Sequence, residues 1–185
     1  MASPFVYVAG DRLTLAELCA ARLDGDVIEL GDAYTPTDTV ETTWLRAASL
    51  RPLAPSTLAV THLSAAWVHG LLAVPPHRHT VQRAVGRRSQ RLPDRMLIYR
   101  DLVVDHDYLM TIADVLVTTP AKTLSDLLRV QDTEYHAAAR GIVRAEPDLA
   151  RKARSILQAG SLPYKREALN LLEGWGGTGY DEVTR

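Results

Sequence analysis

Residues 115–129, VLVTTPAKTLSDLLR, read as a strand that turns into a helix, and the rest of the chain is placed around that turn. Val115, Leu116 and Val117 form a short apolar run, Thr118 and Thr119 offer capping hydroxyls, and the fixed φ of Pro120 suits a first helical position. Leu124, Leu127 and Leu128 follow at helical spacing. The helix is expected to pack through these leucines and to turn Lys122, Ser125, Asp126 and Arg129 to its other sides. Lys122 and Asp126 are one turn apart with the cation first, the weaker order, worth about 0.3 kcal/mol as a surface pair.

The 185 residues are 46% hydrophobic, enough for one domain or one domain with a small appendage. No apolar run approaches the roughly 20 residues that span a bilayer. The opening MASPFVYVAG lacks the basic region and long apolar core of a secretory leader. A single cysteine, Cys19, excludes an intrachain disulfide and fits a reducing compartment, so a cytoplasmic protein is expected. Cys19 itself reads as a small buried hydrophobe.

A net charge of −1 conceals a segregation. Residues 1–45 hold eight acidic and two basic side chains, residues 46–100 one acidic and nine basic, and residues 101–185 thirteen acidic and ten basic. A central basic block favours a polyanion or an acidic protein surface as partner, or pairing with the acidic block before it.

Upstream of the opening segment, residues 5–8 suit a short strand, and 13–23 a helix with Thr14 and Glu17 spaced as a capping box. Leu15, Leu18, Cys19 and Arg22 lie along one side of it. Turns at Asp24-Gly25 and Gly31-Asp32 then frame a short hairpin. Helix and hairpin make residues 1–36 a shortened, degenerate winged-helix unit. There is no room for a second, groove-reading helix, and Asp24, Asp26, Glu29 and Asp32 would repel phosphate. The unit either binds DNA alone or packs on the remainder or on a partner.

Asp38 is placed to cap a helix over 39–50, with Val40, Trp44, Ala47 and Ala48 facing inward. An apolar run at 58–60 leads to a helix of small residues over 61–71, punctuated by Leu63, Trp67 and Leu71. From His79 the period becomes two, which predicts a strand; a basic loop follows Gly86, and 96–100 and 102–104 suit two more short strands. Arg78, Arg83, Arg87, Arg88, Arg91, Arg95 and Arg100 stand there against one carboxylate, Asp94. Nucleic acid, an acidic protein surface and internal pairing all suit such a set. Three helices are expected after Arg129, capped by Asp132 or begun at Pro147 and Pro163, before a polar, glycine-rich, flexible tail at 176–185. The expected class is α/β (α+β): the degenerate winged helix, a small mixed sheet with helices over 37–175, and a C-terminal helical layer.

The motifs of common chemistries are missing. His62 with His69, and His77 with His79, share an element's face, but no HExxH, cysteine cluster or helically spaced acidic ligand completes a metal site. His62 near Ser64 lacks the Gly-x-Ser-x-Gly turn of a hydrolase. Asp105-His106-Asp107 reads as a solvated turn, and Gly160-Ser161 is not followed by the aspartate pair of a nucleotidyltransferase. No phosphate loop or GxGxxG is present, so neither an enzyme nor a cofactor or small-molecule substrate is expected.

Three segments together resemble the AbiEi family of antitoxins, from the type IV, abortive-infection class of bacterial toxin-antitoxin system. THLSAAWVHGL at 61–71 is similar to its His-x-Ser-Ala-Ala segment ending in His-Gly-Leu, through His62, Ser64, Ala65, Trp67, His69 and Gly70. HTVQRAVGRRSQR at 79–91 is similar to its strand and arginine-rich turn. The opening segment is similar to its Thr-x-Pro-Ala-Arg-Thr-Leu-x-Asp-Leu, through Thr119, Pro120, Lys122 and Asp126. The resemblance covers about 13–129 and, more loosely, the helices beyond.

That resemblance implies a non-enzymatic antitoxin, active in phage defence, whose partner is a nucleotidyltransferase-like toxin encoded alongside it. In the family the N-terminal winged helix binds operator DNA and represses the operon; here it is shortened and acidic. Lys122 stands where the family usually has arginine. For Ser64, Ala65, Trp67 and Asp126 helix packing is the expected role, while Arg83, Arg87, Arg88 and Arg91 are the candidates for DNA. The alternatives are a standalone DNA-binding transcriptional regulator without a toxin, and the recognition part of a nuclease-like protein, since no aspartate is followed by Glu-x-Lys.

Overall fold

A computed structural model of the chain describes residues 5–86 and 96–176, and its architecture is α/β. In chain order the elements are α1 (Leu15–Asp24), β1 (Val27–Leu30), β2 (Ala33–Pro36), α2 (Thr43–Ser49), β3 (Leu58–Val60), α3 (His62–Val68), β4 (His79–Arg83), β5 (Leu97–Val103), a 3-10 turn (His106–Tyr108), β6 (Leu109–Ile112), β7 (Val115–Thr118), α4 (Pro120–Arg129), α5 (Thr133–Ala145), α6 (Pro147–Ala159) and α7 (Lys165–Gly176). The main sheet is mixed, in the order β5-β4-β3-β7-β6. Its central strand β3 runs antiparallel to β4 and parallel to β7, while β4 and β5 are parallel and β6 and β7 antiparallel.

Two apolar cores share α3. Ala65, Trp67 and Val68 join the sheet residues Leu58, Val60, Val81, Val115 and Val117, with Leu45 and Leu50 of the α2 region. Leu63 and Ala66 join Leu124, Leu127 and Leu128 of α4 and the inner faces of α5, α6 and α7. The small residues of α3 permit contact on both sides, as their size suggests. At the N-terminus the β1–β2 hairpin is held to the body through Leu30, which lies in the first core. The unit thus packs on the remainder.

Thr119 and Pro120 begin α4 as expected, although the Thr119 side chain makes no capping bond. The expected outward side of α4 is corrected. Every residue from 123 to 128 is buried, Ser125 and Asp126 included, because α3, α5, α6 and α7 surround the helix.

Other local expectations are also revised. Residues 5–8 form no strand: Tyr7 exchanges two backbone hydrogen bonds with Tyr34, and Gly10 at φ 92 turns the chain away. The helix expected from residue 39 starts at Thr43, because Thr42 accepts the Leu45 N–H; Val40 and Trp44 are 78% and 44% exposed rather than inward. The helix over 61–71 ends at Val68, with Gly70 at φ 78. The two short strands at 96–104 are the single β5, whose irregular register opposite Gln82 and Arg83 absorbs the polar interruption. The strand β6 reaches β7 through Ala113 and Asp114, both at positive φ, a hairpin turn that Ala113 does not advertise. Tyr164, at φ 56, delays α7 to Lys165. Cys19 is exposed, not buried. Of the expected tail, all but Gly176 lies outside the described residues.

Candidate functional site

The two helical segments quoted above meet in one joint. The last turn of α3 is tied to the end of β7 by His69, whose Nε2 donates to the Thr118 carbonyl at 2.7 Å. Thr123 donates its hydroxyl to the Thr119 carbonyl at 2.9 Å and lies 2.7 Å from the Thr118 hydroxyl, so the strand-to-helix turn is braced by its own threonines. Ser64 accepts the Thr80 N–H at 2.9 Å, and its Oγ is 3.2 Å from His79 Nδ1. The third quoted segment enters here as β4.

At the start of α3, His62 takes φ 54, a left-handed conformation uncommon outside glycine, asparagine and aspartate. Its Nδ1 lies 2.8 Å from Thr61 Oγ1. The imidazole beside Ser64 is therefore that of His79, not of His62 as the sequence suggested. Ala65 and Trp67 are fully buried. The Arg46 guanidinium lies 5.4 Å from the Trp67 ring centroid, and its Nη1 donates to the carbonyls of Trp67 and Leu72 at 2.6 and 2.9 Å. That arginine closes the C-terminus of α3.

A charged cluster sits on the helical side. Asp126, 3% exposed, takes both Lys122 Nζ and Arg129 Nη1 (3.1 Å) on its Oδ1. Its Oδ2 has no hydrogen-bond partner among the described residues. Lys122 Nζ lies 6.0 Å from the Tyr108 ring centroid, and the Arg100 guanidinium 6.0 Å from that of Tyr135. The His62 ring meets Tyr135 edge-on at 6.1 Å.

Burial holds His62 down to about 4, against a partial pull upward from Asp126; Arg100, Lys122 and Arg129 add to the lowering. His79 is lowered to about 4 by burial, and His69 is lowered by burial against its bond to Thr118. All three imidazoles are neutral at pH 7. Lys122 and Arg129 hold the one carboxylate, and Arg100, against Tyr135, is a third cation that acts on His62. Only Lys122 and Asp126 of this cluster are legible in the sequence as family-motif residues. Arg100 and Arg129 stand at separations too large or too ordinary to signal a shared centre.

The arginine set divides. Arg78 Nη2 donates to the Leu97 carbonyl at 2.8 Å, and Arg83 pairs with Asp101 at 2.8 Å and donates to the Gly86 carbonyl at 2.7 Å, so both brace the β4–β5 edge. Arg87, Arg88, Arg91 and Arg95 lie outside the described residues. Among the described residues no three His, Cys, Asp or Glu side chains gather as a metal site, and no helix is long and apolar enough to cross a membrane. An open cavity of about 580 Å³ beside Ser161, Tyr164 and Lys165 involves none of the residues above.

No protein-family model matches the chain, and no curated protein matches it.

Proposed function

We propose that this chain is a non-enzymatic antitoxin of the AbiEi kind, acting in the cytoplasm to neutralise a nucleotidyltransferase-like toxin. The observation that carries this reading is the joint itself. The three family-like segments begin far apart in the chain, at Thr61, His79 and Val115, and they converge on Ser64, Thr80 and the His69–Thr118 bond. Their meeting in one joint supports reading the three segments together rather than one by one. The polar groups of the joint are buried and bonded to one another, which supports a binding protein over a catalyst.

Operator binding is proposed as a second role, and it falls to Arg87, Arg88, Arg91 and Arg95, since Arg78 and Arg83 are engaged within the sheet. A standalone DNA-binding regulator remains the competing reading, favoured by the same central basic block. The deciding experiment is co-expression of the full chain with the product of the adjacent gene, scored by growth. Rescue from a toxic neighbour supports the antitoxin. A harmless neighbour, or no rescue, together with salt-sensitive and sequence-selective DNA binding, replaces it with the regulator.

A further inference from the structure

The turn between α6 and α7 carries a strained residue. Tyr164 takes φ 56, the left-handed region that a bulky L side chain rarely adopts, and its side chain is 55% exposed, so no core packing offsets the conformation. The turn is nonetheless firmly built. Arg129 Nε donates to the Pro163 carbonyl at 3.0 Å, and the same guanidinium pairs with the buried Asp126, which ties the residue before Tyr164 to α4. Lys165 Nζ donates to the carbonyls of Gln158 and Gly160 at 2.9 and 3.0 Å, fastening the start of α7 to the end of α6. Beside this turn lies the open cavity of about 580 Å³, lined by Ser161, Tyr164, Lys165, Arg166 and Glu167. It is of the size that takes a small organic molecule, and larger than a simple anion fills.

We propose that this cavity binds a nucleoside monophosphate. The side chains around it divide according to the parts of such a molecule. Two of the three Lys165 donors are engaged by carbonyls, which leaves one N–H for a further acceptor. The exposed Arg166 makes no hydrogen bond or ion pair among the described residues, and with Lys165 it supplies the charge for a phosphate. The Tyr164 ring offers a face on which a base stacks. Glu167, on the same wall, brings a carboxylate that accepts hydrogen bonds from the hydroxyls of a ribose. That carboxylate selects among phosphate ligands. A bare phosphate is repelled by it, and a nucleic-acid strand would need a run of cations and further rings along its path. No phosphate loop takes part; the cations are side chains held by the turn. The site lies apart from the joint and requires no toxin.

Calorimetric titration of the full chain with AMP, GMP, CMP and UMP tests the site, with inorganic phosphate and the four nucleosides as probes of the separate parts. At least one nucleotide is expected to bind with a Kd below about 1 mM, and phosphate and the matching nucleoside at least tenfold more weakly. Two variants locate the binding. Arg166→Ala removes an exposed cation, and Tyr164→Gly removes the ring while relieving the left-handed backbone, so both are expected to fold, as circular dichroism and the thermal midpoint will check. Each is expected to weaken the nucleotide at least tenfold. No binding by any of the four nucleotides up to about 10 mM overturns the proposal. So does binding that either variant leaves unchanged, which would put the nucleotide elsewhere. Phosphate bound as tightly as the nucleotides overturns it in favour of a plain anion site. A short single-stranded oligonucleotide that binds at least a hundredfold more tightly than any mononucleotide, and is lost in the same variants, overturns it in favour of a nucleic-acid strand.

Discussion

His69 Nε2 lies 2.7 Å from the carbonyl oxygen of Thr118, so the residue that ends α3 is hydrogen-bonded to the last residue of β7. A carbonyl can only accept, which fixes the proton on Nε2. His69→Ala removes the bond and leaves a half-buried gap at the centre of the joint. The expected cost is about 1–2 kcal/mol in urea unfolding, with the slope of the transition unchanged. An unchanged midpoint would show that the two segments are held together by packing alone.

Among the described residues Asp126 accepts two cations on one oxygen and none on the other. A guanidinium in place of Lys122 can span both oxygens, so Lys122→Arg is expected to raise stability by about 1 kcal/mol. Asp126→Asn keeps the shape but strips the countercharge from Lys122 and Arg129. Both cations reach the surface in part, which moderates the loss to about 2–4 kcal/mol. Chemical denaturation of the two variants decides the matter; destabilisation by Lys122→Arg would mean that the fork does not fit.

How much of this was legible depended on whether the signal was local. The Thr14–Glu17 capping box, the prolines that open α4 and α6, and the Asp132 cap are features within a few residues, and each helix starts where they stand. The burial of Ser125 and Asp126 is not local. The apolar face of α4 is set by its leucines, but four other helices close around its polar side, and no periodicity reports that. For α1, spacing reveals the helix but not its buried face: of Leu15, Leu18, Cys19 and Arg22, expected along one side, only Leu18 is buried. For the joint, each segment was readable by itself. Its assembly through Thr80, His79 and Thr118 required the sheet order.

Gly31, in the turn between β1 and β2, has φ 58, and an added Cβ would press on Ser49 Oγ and come within 3.2 Å of both Leu50 and Trp67. The close approach seats the N-terminal unit on the first core. Gly31→Ala combines left-handed strain with overpacking against a fully buried tryptophan, for an expected loss of about 2–4 kcal/mol. Limited proteolysis should then cut within residues 5–36 faster than in the wild type. Equal cutting and an equal midpoint would mean that the hairpin shifts freely on α2.

His62 and His79 give the stability its pH dependence. Both have folded values near 4, against an ordinary 6.5 in the unfolded chain. Above pH 6.5 both states are neutral and the groups contribute nothing to the slope. As the pH falls from 6.5 toward 4 the unfolded chain takes up protons that the folded one refuses, so stability declines, by up to about 1.4 kcal/mol per pH unit for each histidine. Carboxylates held below their ordinary values, Glu17 and Asp148, lose their contributions only as the pH falls through 4.5 and 3.8, which leaves the window above pH 5 to the histidines. Unfolding at pH 5 should therefore be easier than at pH 7.5 by about 2 kcal/mol per histidine. His62→Asn, which suits the left-handed conformation and does not titrate, should remove the His62 share of that slope and His79→Gln the His79 share, leaving the contribution of His69, which burial also lowers. Denaturant midpoints across pH 5 to 7.5 that are flat in the wild type would require both imidazoles to be protonated where they lie, against the cations around His62 and the burial of His79.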